Sequence, residues 1–334
     1  MGLALTDVDE GLHRPGDQPN WNESRYVDFW DTSRRVGGWF RIGARPNSGY
    51  AEMSACLFLP DGRTAFAFDR AAIEGNGLGA GGQLWEISEP WYASTVRFDG
   101  AMTLLDDPWS LTNPKRAFSE NPTAAATACF EVSTEGLSTV MGQDQDQHHL
   151  IFLPGQADFH YQHMARVRGT ATVGEECFSF DGRGGKDHSW GPRNWHAKRY
   201  LRWLTCCIDD RNGFMLTRSV GPTAQRRSGF VVIDGNFRIV DGFDITNRYA
   251  GPPWYQLEST EVVVRSGSTT VSAVGRPQGW LPLRHVQPSA DGEPAVLRIV
   301  KQPATWDLPD GSVVPGHLEY HDLMVDGVPV GLHE

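Results

Sequence analysis

The chain has 334 residues, of which 40% are hydrophobic and 21% charged, and it carries a formal net charge of -11. That much apolar material excludes disorder over most of the length, and a chain this long is expected to form two domains. The acidic balance argues against nucleic acid as a partner, because phosphate binding needs clustered Lys and Arg. The basic residues Arg193, Lys198, Arg199 and Arg202 make one local cluster, read as a solvated or carboxylate-paired face.

The start, MGLALTDVDEGLHRPGDQ, lacks the basic stretch and apolar run of a secretory signal. No apolar run approaches the roughly 18 residues that a membrane helix needs. A cytoplasmic protein without membrane insertion is therefore expected, and a homodimer is compatible with the sequence. Cys56, Cys129, Cys177, Cys206 and Cys207 show no zinc-type spacing and are expected to be reduced. Cys206 and Cys207, adjacent in a strand, would point to opposite faces.

In chain order, residues 1–18 are polar and proline-containing and read as an extended arm. SACLFLPDGRTAFAFD (54–69) reads as a hairpin around Pro-Asp-Gly, and AATACFEVST (125–134) and ARVRGTATVG (165–174) read as strands. PWSLTNPKRAFSENP (108–122) and GQDQDQHHLIF (142–152) read as connections. Beyond them, RWLTCCIDDRNGFMLTRS (202–219), SGFVVIDGNFRIVDGF (228–243), STEVVVRSGSTTVSAVG (259–275) and PAVLRIVKQPATW (294–306) are strand-rich. The expected fold is all-β, two barrel or sandwich domains packed together, over residues 19–165 and 166–334 after the arm.

The run GGKDHSWGPRNWHAKRY (184–200) is chemically the densest. Its glycines and proline suggest a tight, irregular backbone between strands, carrying Asp187, His188 and Trp190. A carboxylic acid beside an imidazole can divide proton donation and abstraction. Trp190, Trp195 and Trp203 could wall the site and face a developing cation. The same residues can equally serve as turn cap, core histidine and packing.

In FHYQHMARVRG (159–169), an extended backbone puts Tyr161 and His163 on one face and His160 and Gln162 on the other. Trp39 and Arg41 share a face in GGWFRIGARPNSGY (37–50), an arrangement that can clamp a planar or anionic group. No metal set is expected. His317 and His321 stand far apart if on a strand, and Asp144, Asp146, His148 and His149 read as a hydrated loop. GNGLGAGG (75–82) lacks the strand–helix context of a dinucleotide loop, and Walker, GxSxG and HExxH motifs are absent, so no cofactor is expected.

GKDHSWGPRNW (185–195), with the YQH…VRG run (161–169) before it and RWLTCCID (202–209) after it, resembles the signature of the two-domain lipocalin-like proteins that include carotenoid 1,2-hydratase and the kievitone-type hydratases. WNESRYVDFWD…GGWFRIGARPN (21–47) is similar to the start of uncharacterised bacterial members. The resemblance implies a cofactor-free site between two β domains, with an apolar substrate entering a barrel-like cavity. It matches His188 and Trp190 to a functional His and Trp of the hydratases. Where those enzymes use a downstream Tyr and Asp, GFMLTRS (213–219) offers Thr217 and Arg218, which leaves Asp187 as the acid.

The expected activity is a hydratase or dehydratase acting on an alkene of a hydrophobic, isoprenoid-like small molecule. Asp187, His188, Trp190 and His163 are the expected catalytic residues, and Trp39, Arg41, Tyr161, Trp195 and Trp203 the expected substrate contacts. A cofactor-free cyclase or isomerase, and a carrier without chemistry, are the alternatives.

Overall fold

Short alternating runs punctuated by glycine and proline become antiparallel strands in the computed structural model, which describes residues 5–134, 141–142, 153–288 and 294–333. The first half forms β1 (Trp21–Asp31), β2 (Val36–Arg45), β3 (Tyr50–Phe58), β4 (Thr64–Ala71), β5 (Gly79–Ala80), β6 (Gln83–Glu89), β7 (Ala93–Leu105), β8 (Thr123–Ser133), β9 (Phe159–Val173) and β10 (Glu176–Pro192). They pair in the order β4-β3-β2-β1-β10-β9-β8-β7-β6-β5, and a further β4–β7 pairing closes β1 to β4 and β7 to β10 into a barrel. Closure removes the exposed edges that an open sheet of this size would present.

The second half forms β11 (Tyr200–Cys207), β12 (Gly213–Val220), β13 (Gln225–Ile233), β14 (Asn236–Ile239), β15 (Gly242–Tyr249), β16 (Leu257–Ser266), β17 (Thr269–Pro277), β18 (Leu281–Gln287), β19 (Ala295–Asp307), β20 (Val313–Val325) and β21 (Val328–Pro329). Their order is β14-β13-β12-β11-β20-β19-β17-β16-β15, with β18 on β19 and β21 on β20. The all-β, lipocalin-like expectation holds.

Alternation sorts the side chains into three large cores, beside a smaller cluster of Leu5, Trp21, Trp91, Tyr161 and Trp190. Inside the barrel, Phe29 stacks on Phe180 at 4.5 Å between centroids and Phe40 meets Phe130 at 4.8 Å, so its centre is packed with rings. A second core, with Leu204, Cys206, Phe214, Val262 and Trp306, fills the other sheet. The third lies between the two sheets, where Tyr26, Trp39, Phe58 and Phe66 meet Leu201, Trp203, Cys207, Met215 and Phe230. Cys206 and Cys207 thus serve different cores, and all five cysteines are free.

Two expectations change. The run 184–192 is no irregular loop but the end of the long strand β10. Its glycines serve packing, since a Cβ on Gly185 would sit 2.5 Å from Met215 Cε and one on Gly184 would sit 2.2 Å from the Asp28 carbonyl oxygen. Only Gly191, at φ +121°, needs a left-handed backbone. Residues 108–122 contain a 3₁₀ turn (Pro108–Thr112) and helix α1 (Pro114–Glu120), capped by Asn113 Oδ1 accepting from the Arg116 N–H. Near residue 165, where a domain change is expected, β9 runs unbroken and pairs with β10, and the second sheet starts at Tyr200. Asp144, Asp146, His148 and His149 lie outside the described residues. Among the described residues no helix is long and apolar enough to cross a membrane.

Candidate active site between the sheets

A cavity of about 300 Å³ lies between the barrel and the second sheet. The barrel presents Ser24 and Tyr26 (β1), Trp39 and Arg41 (β2), His160 and Gln162 (β9), and Asp187 and Ser189 (β10) to it. The opposite wall offers Leu201 and Trp203 (β11), Thr217 (β12), Lys301 (β19), and Glu319 and His321 (β20), while Trp195 and Lys198 come from the segment joining the sheets. The residues of each pair on a strand are two apart, as a common face requires.

The lining mixes aromatic with charged side chains. Tyr26 lies 5.6 Å from Trp203 and 6.2 Å from Trp39 between ring centroids, and Trp39 continues to Phe66 at 5.9 Å. Lys301 Nζ sits 4.0 Å above the Tyr26 ring and 4.9 Å from that of Trp39. Trp195 collects a basic ring: Arg41 at 5.7 Å, Arg193 at 5.4 Å and Lys198 at 5.1 Å. Ring faces attract such cations electrostatically.

Two carboxylate–histidine pairs occupy opposite walls. On the barrel side, Asp187 Oδ2 is 3.6 Å from His160 Nε2. On the other, Glu319 ion-pairs with Lys301, and its Oε1 lies 2.5 Å from His321 Nε2. Burial acts to raise the Glu319 pKa, but Lys301 and His321 outweigh it and hold the carboxyl below its usual range. Burial, then the charge of Lys198, lowers His321 to about 3, so its imidazole is neutral at pH 7. With Nε2–H donated to Glu319, the lone pair lies on Nδ1, which has no hydrogen-bond partner among the described residues. Burial, reinforced by Arg193, brings Lys198 down to about 7.

Five of the expected site residues therefore converge on the cavity: Asp187, Trp39, Arg41, Trp195 and Trp203. His188, Trp190, Tyr161 and His163 do not, because they alternate to the other face of β9 and β10, inside the mouth of the barrel. There the N-terminal arm acts as a plug, burying Leu5 and Glu10. Glu10 accepts from Lys186 Nζ at 2.8 Å and from the Tyr161 hydroxyl, and Arg25 donates to the carbonyls of Glu10 and Gly11.

His188 Nε2 lies 2.9 Å from Glu23 Oε1, and His13 stacks on Trp190 at 3.8 Å. Burial, then Arg25, lowers His188 to about 3, while hydrogen bonds from His13 and His188 overcome burial and hold Glu23 at about 2. The barrel mouth is thus occupied by the chain's own arm.

His160, Lys198, Lys301, Glu319 and His321 are cavity residues that the sequence does not single out for chemistry. The one signal for His160 is the strand alternation that sets it opposite His163. HLEYH (317–321) reads in sequence as a widely spaced histidine pair, although Glu319 between the two shares their face.

A barrel thus packs against a second antiparallel sheet, with a polar-aromatic cleft between them. The chain belongs to the family described as Domain of unknown function (DUF7064), whose model matches residues 6–324. No curated protein sequence matches it. Solved structures share the fold at low identity. An AttH-type protein from Nitrosomonas europaea is 14% identical with a TM-score of 0.59, covering 95% of this chain and 96% of that one. CghA crystallised with Sch210972 is 13% identical at TM-score 0.56, covering 93% and 90%. Kievitone hydratase from Nectria haematococca is 10% identical at TM-score 0.50, covering 95% and 92%.

Proposed function

We propose that the cavity between the sheets is the active site of a cofactor-independent hydratase or dehydratase acting on an alkene, or the corresponding alcohol, of a hydrophobic isoprenoid-like small molecule. The observation that carries this reading is the pair of carboxylate–histidine couples, Asp187–His160 and Glu319–His321, on opposite walls of one aromatic cavity. Asp187 donates a proton to one alkene carbon, and the faces of Tyr26, Trp39 and Trp203 stabilise the cation left on the other. His321 Nδ1 accepts a proton from the water whose oxygen bonds to that carbon. Glu319 fixes the His321 tautomer, as a carboxylate does in other acid–base dyads, and Lys301 keeps Glu319 ionised. Lys198 and Arg41, at the basic end, hold an oxygen substituent of the substrate. His188, His163 and Trp190, facing the plugged barrel mouth, take no step in this scheme.

That one protein of this fold is named a hydratase, and another was crystallised with a small molecule, supports small-molecule chemistry on this scaffold. The test is incubation with trisubstituted alkenes and tertiary alcohols in ¹⁸O-labelled water, followed by mass spectrometry of the products. Label should enter the product, and Asp187→Asn and His321→Gln should each slow incorporation by about 100-fold or more. Ring closure or rearrangement without oxygen uptake would establish the cyclase or isomerase reading instead. Binding with no change in mass would establish the carrier.

A further inference from the structure

We propose that His13, Glu23 and His188 form a zinc-type divalent metal site that fastens the N-terminal arm into the mouth of the barrel. This inference is independent of the chemistry assigned to the cavity, which lies on the other face of β10.

The three side chains come from the arm, β1 and β10, and their ligand atoms all lie within 4.8 Å of one another. His13 Nδ1 and His188 Nε2 are each 2.9 Å from the same oxygen, Glu23 Oε1. Two imidazole nitrogens and one carboxylate, with a position left for water, make a tetrahedral donor set of the kind that holds zinc.

His13 has a carboxylate on both nitrogens, Glu23 at Nδ1 and Asp9 Oδ1 at 3.1 Å from Nε2. With an ion on Nδ1 in place of a proton, Nε2–H donates to Asp9 while Nδ1, His188 Nε2 and Glu23 turn lone pairs to the ion. Asp9 becomes the outer carboxylate that orients a metal-bound histidine.

The nearby cations are already engaged by the arm. Lys186 is paired with the Glu10 carboxylate, and Arg25 with the carbonyls of Glu10 and Gly11. Glu23 and His188 are closed off at 3% and 0% side-chain exposure, whereas His13 retains 20%, so an ion enters from the arm side. Because the ligands are spread from residue 13 to residue 188, no local spacing announces the site.

The experiment uses the whole chain, freed of metal with a chelator. Cobalt(II) titration should give the intense visible absorption of a tetrahedral ion at one equivalent per chain, and zinc should displace it. His13→Ala, a change on the partly exposed arm, and Glu23→Gln should abolish the absorption while circular dichroism shows the barrel intact. Zinc at saturating concentration should also slow proteolytic cleavage within the arm of the unmutated chain by about tenfold or more, because it stabilises only the docked state. Failure to bind, equal binding by either folded variant, or an unmutated arm cleaved at the same rate with and without zinc would overturn the proposal. If a variant fails to fold, the absorption and cleavage of the unmutated chain decide the matter.

Discussion

The two faces of β10 form different devices from neighbouring residues. On one face His188 and Trp190 lie in a closed knot with Glu23, His13 and Tyr161, sealed by the chain's own arm. On the other, Asp187 and Ser189 border a cavity whose opposite wall belongs to the second sheet. Both faces leave polar atoms without a hydrogen-bond partner among the described residues: His188 Nδ1 and both ring nitrogens of His163 on the first, and His321 Nδ1, the Thr217 hydroxyl and the Trp203 indole N–H around the cavity on the second. A cluster of reactive residue types in a sequence is therefore weak evidence for a site, and the face each residue occupies decides its use.

Substitutions on the two faces should separate stability from chemistry. The largest effect is expected from Trp190→Ala, which removes a buried indole stacked between His13 and Phe159. It should cost about 3–5 kcal/mol, read as a lower urea midpoint, while the folded fraction binds cavity ligands with unchanged affinity. Asp187→Asn should do the reverse. Stability should move by less than about 1 kcal/mol, while turnover of a hydrated substrate drops by about 100-fold, equivalent to about 2.7 kcal/mol of barrier. A Trp190→Ala protein with normal stability and no ligand binding would erase the distinction between the faces.

A pH-dependent effect belongs to Lys198, which burial and Arg193 hold at about 7 against an ordinary 10.5. Above pH 10.5 neither state holds the proton. As pH falls from 10.5 toward 7, the unfolded chain takes it up first, so the lysine destabilises the fold progressively, and the penalty is complete below 7. Lys198→Met should therefore match the unmutated chain near pH 10.5 and exceed it by several kcal/mol near pH 7, measured by urea unfolding across that range. An anionic cavity ligand should reverse the preference, binding the unmutated chain more tightly below pH 7 than above it.

Much of the architecture was legible because turn chemistry and alternation are local. Pro60-Asp61-Gly62 and Asp234-Gly235 sit in the turns of real hairpins, and the paired strands around residues 202–219 and 259–275 follow the pattern that their sequences suggest. The glycines of 184–191 misled because glycine is read as a signal for irregular backbone, whereas here Gly184 and Gly185 let β10 lie close against β1 and the second sheet. That need arises only after both sheets exist.

The candidate site was half legible for the same reason. Trp39 with Arg41, and His160 with Gln162, follow from alternation alone, yet nothing local says which face of a strand will meet the second sheet. Glu319 and His321 share the cavity with Asp187 from β20, which is more than a hundred residues away in the chain and in the other sheet, through packing of sheet on sheet that no short motif encodes. The N-terminal plug was equally hidden, because its polar sequence resembles a free arm until Glu10 meets Lys186 and Tyr161.

The central claim is that apolar ligands occupy the cavity between the sheets rather than the barrel mouth. An apolar diazirine probe, photolysed in the presence of the full chain and mapped by mass spectrometry, tests it whatever the natural substrate is. Labels should fall on Tyr26, Trp39, Phe66 and Trp203, and excess unlabelled ligand should suppress them. Saturable labelling of Tyr161, Trp190 and Trp91, with the cavity residues untouched, would contradict the account.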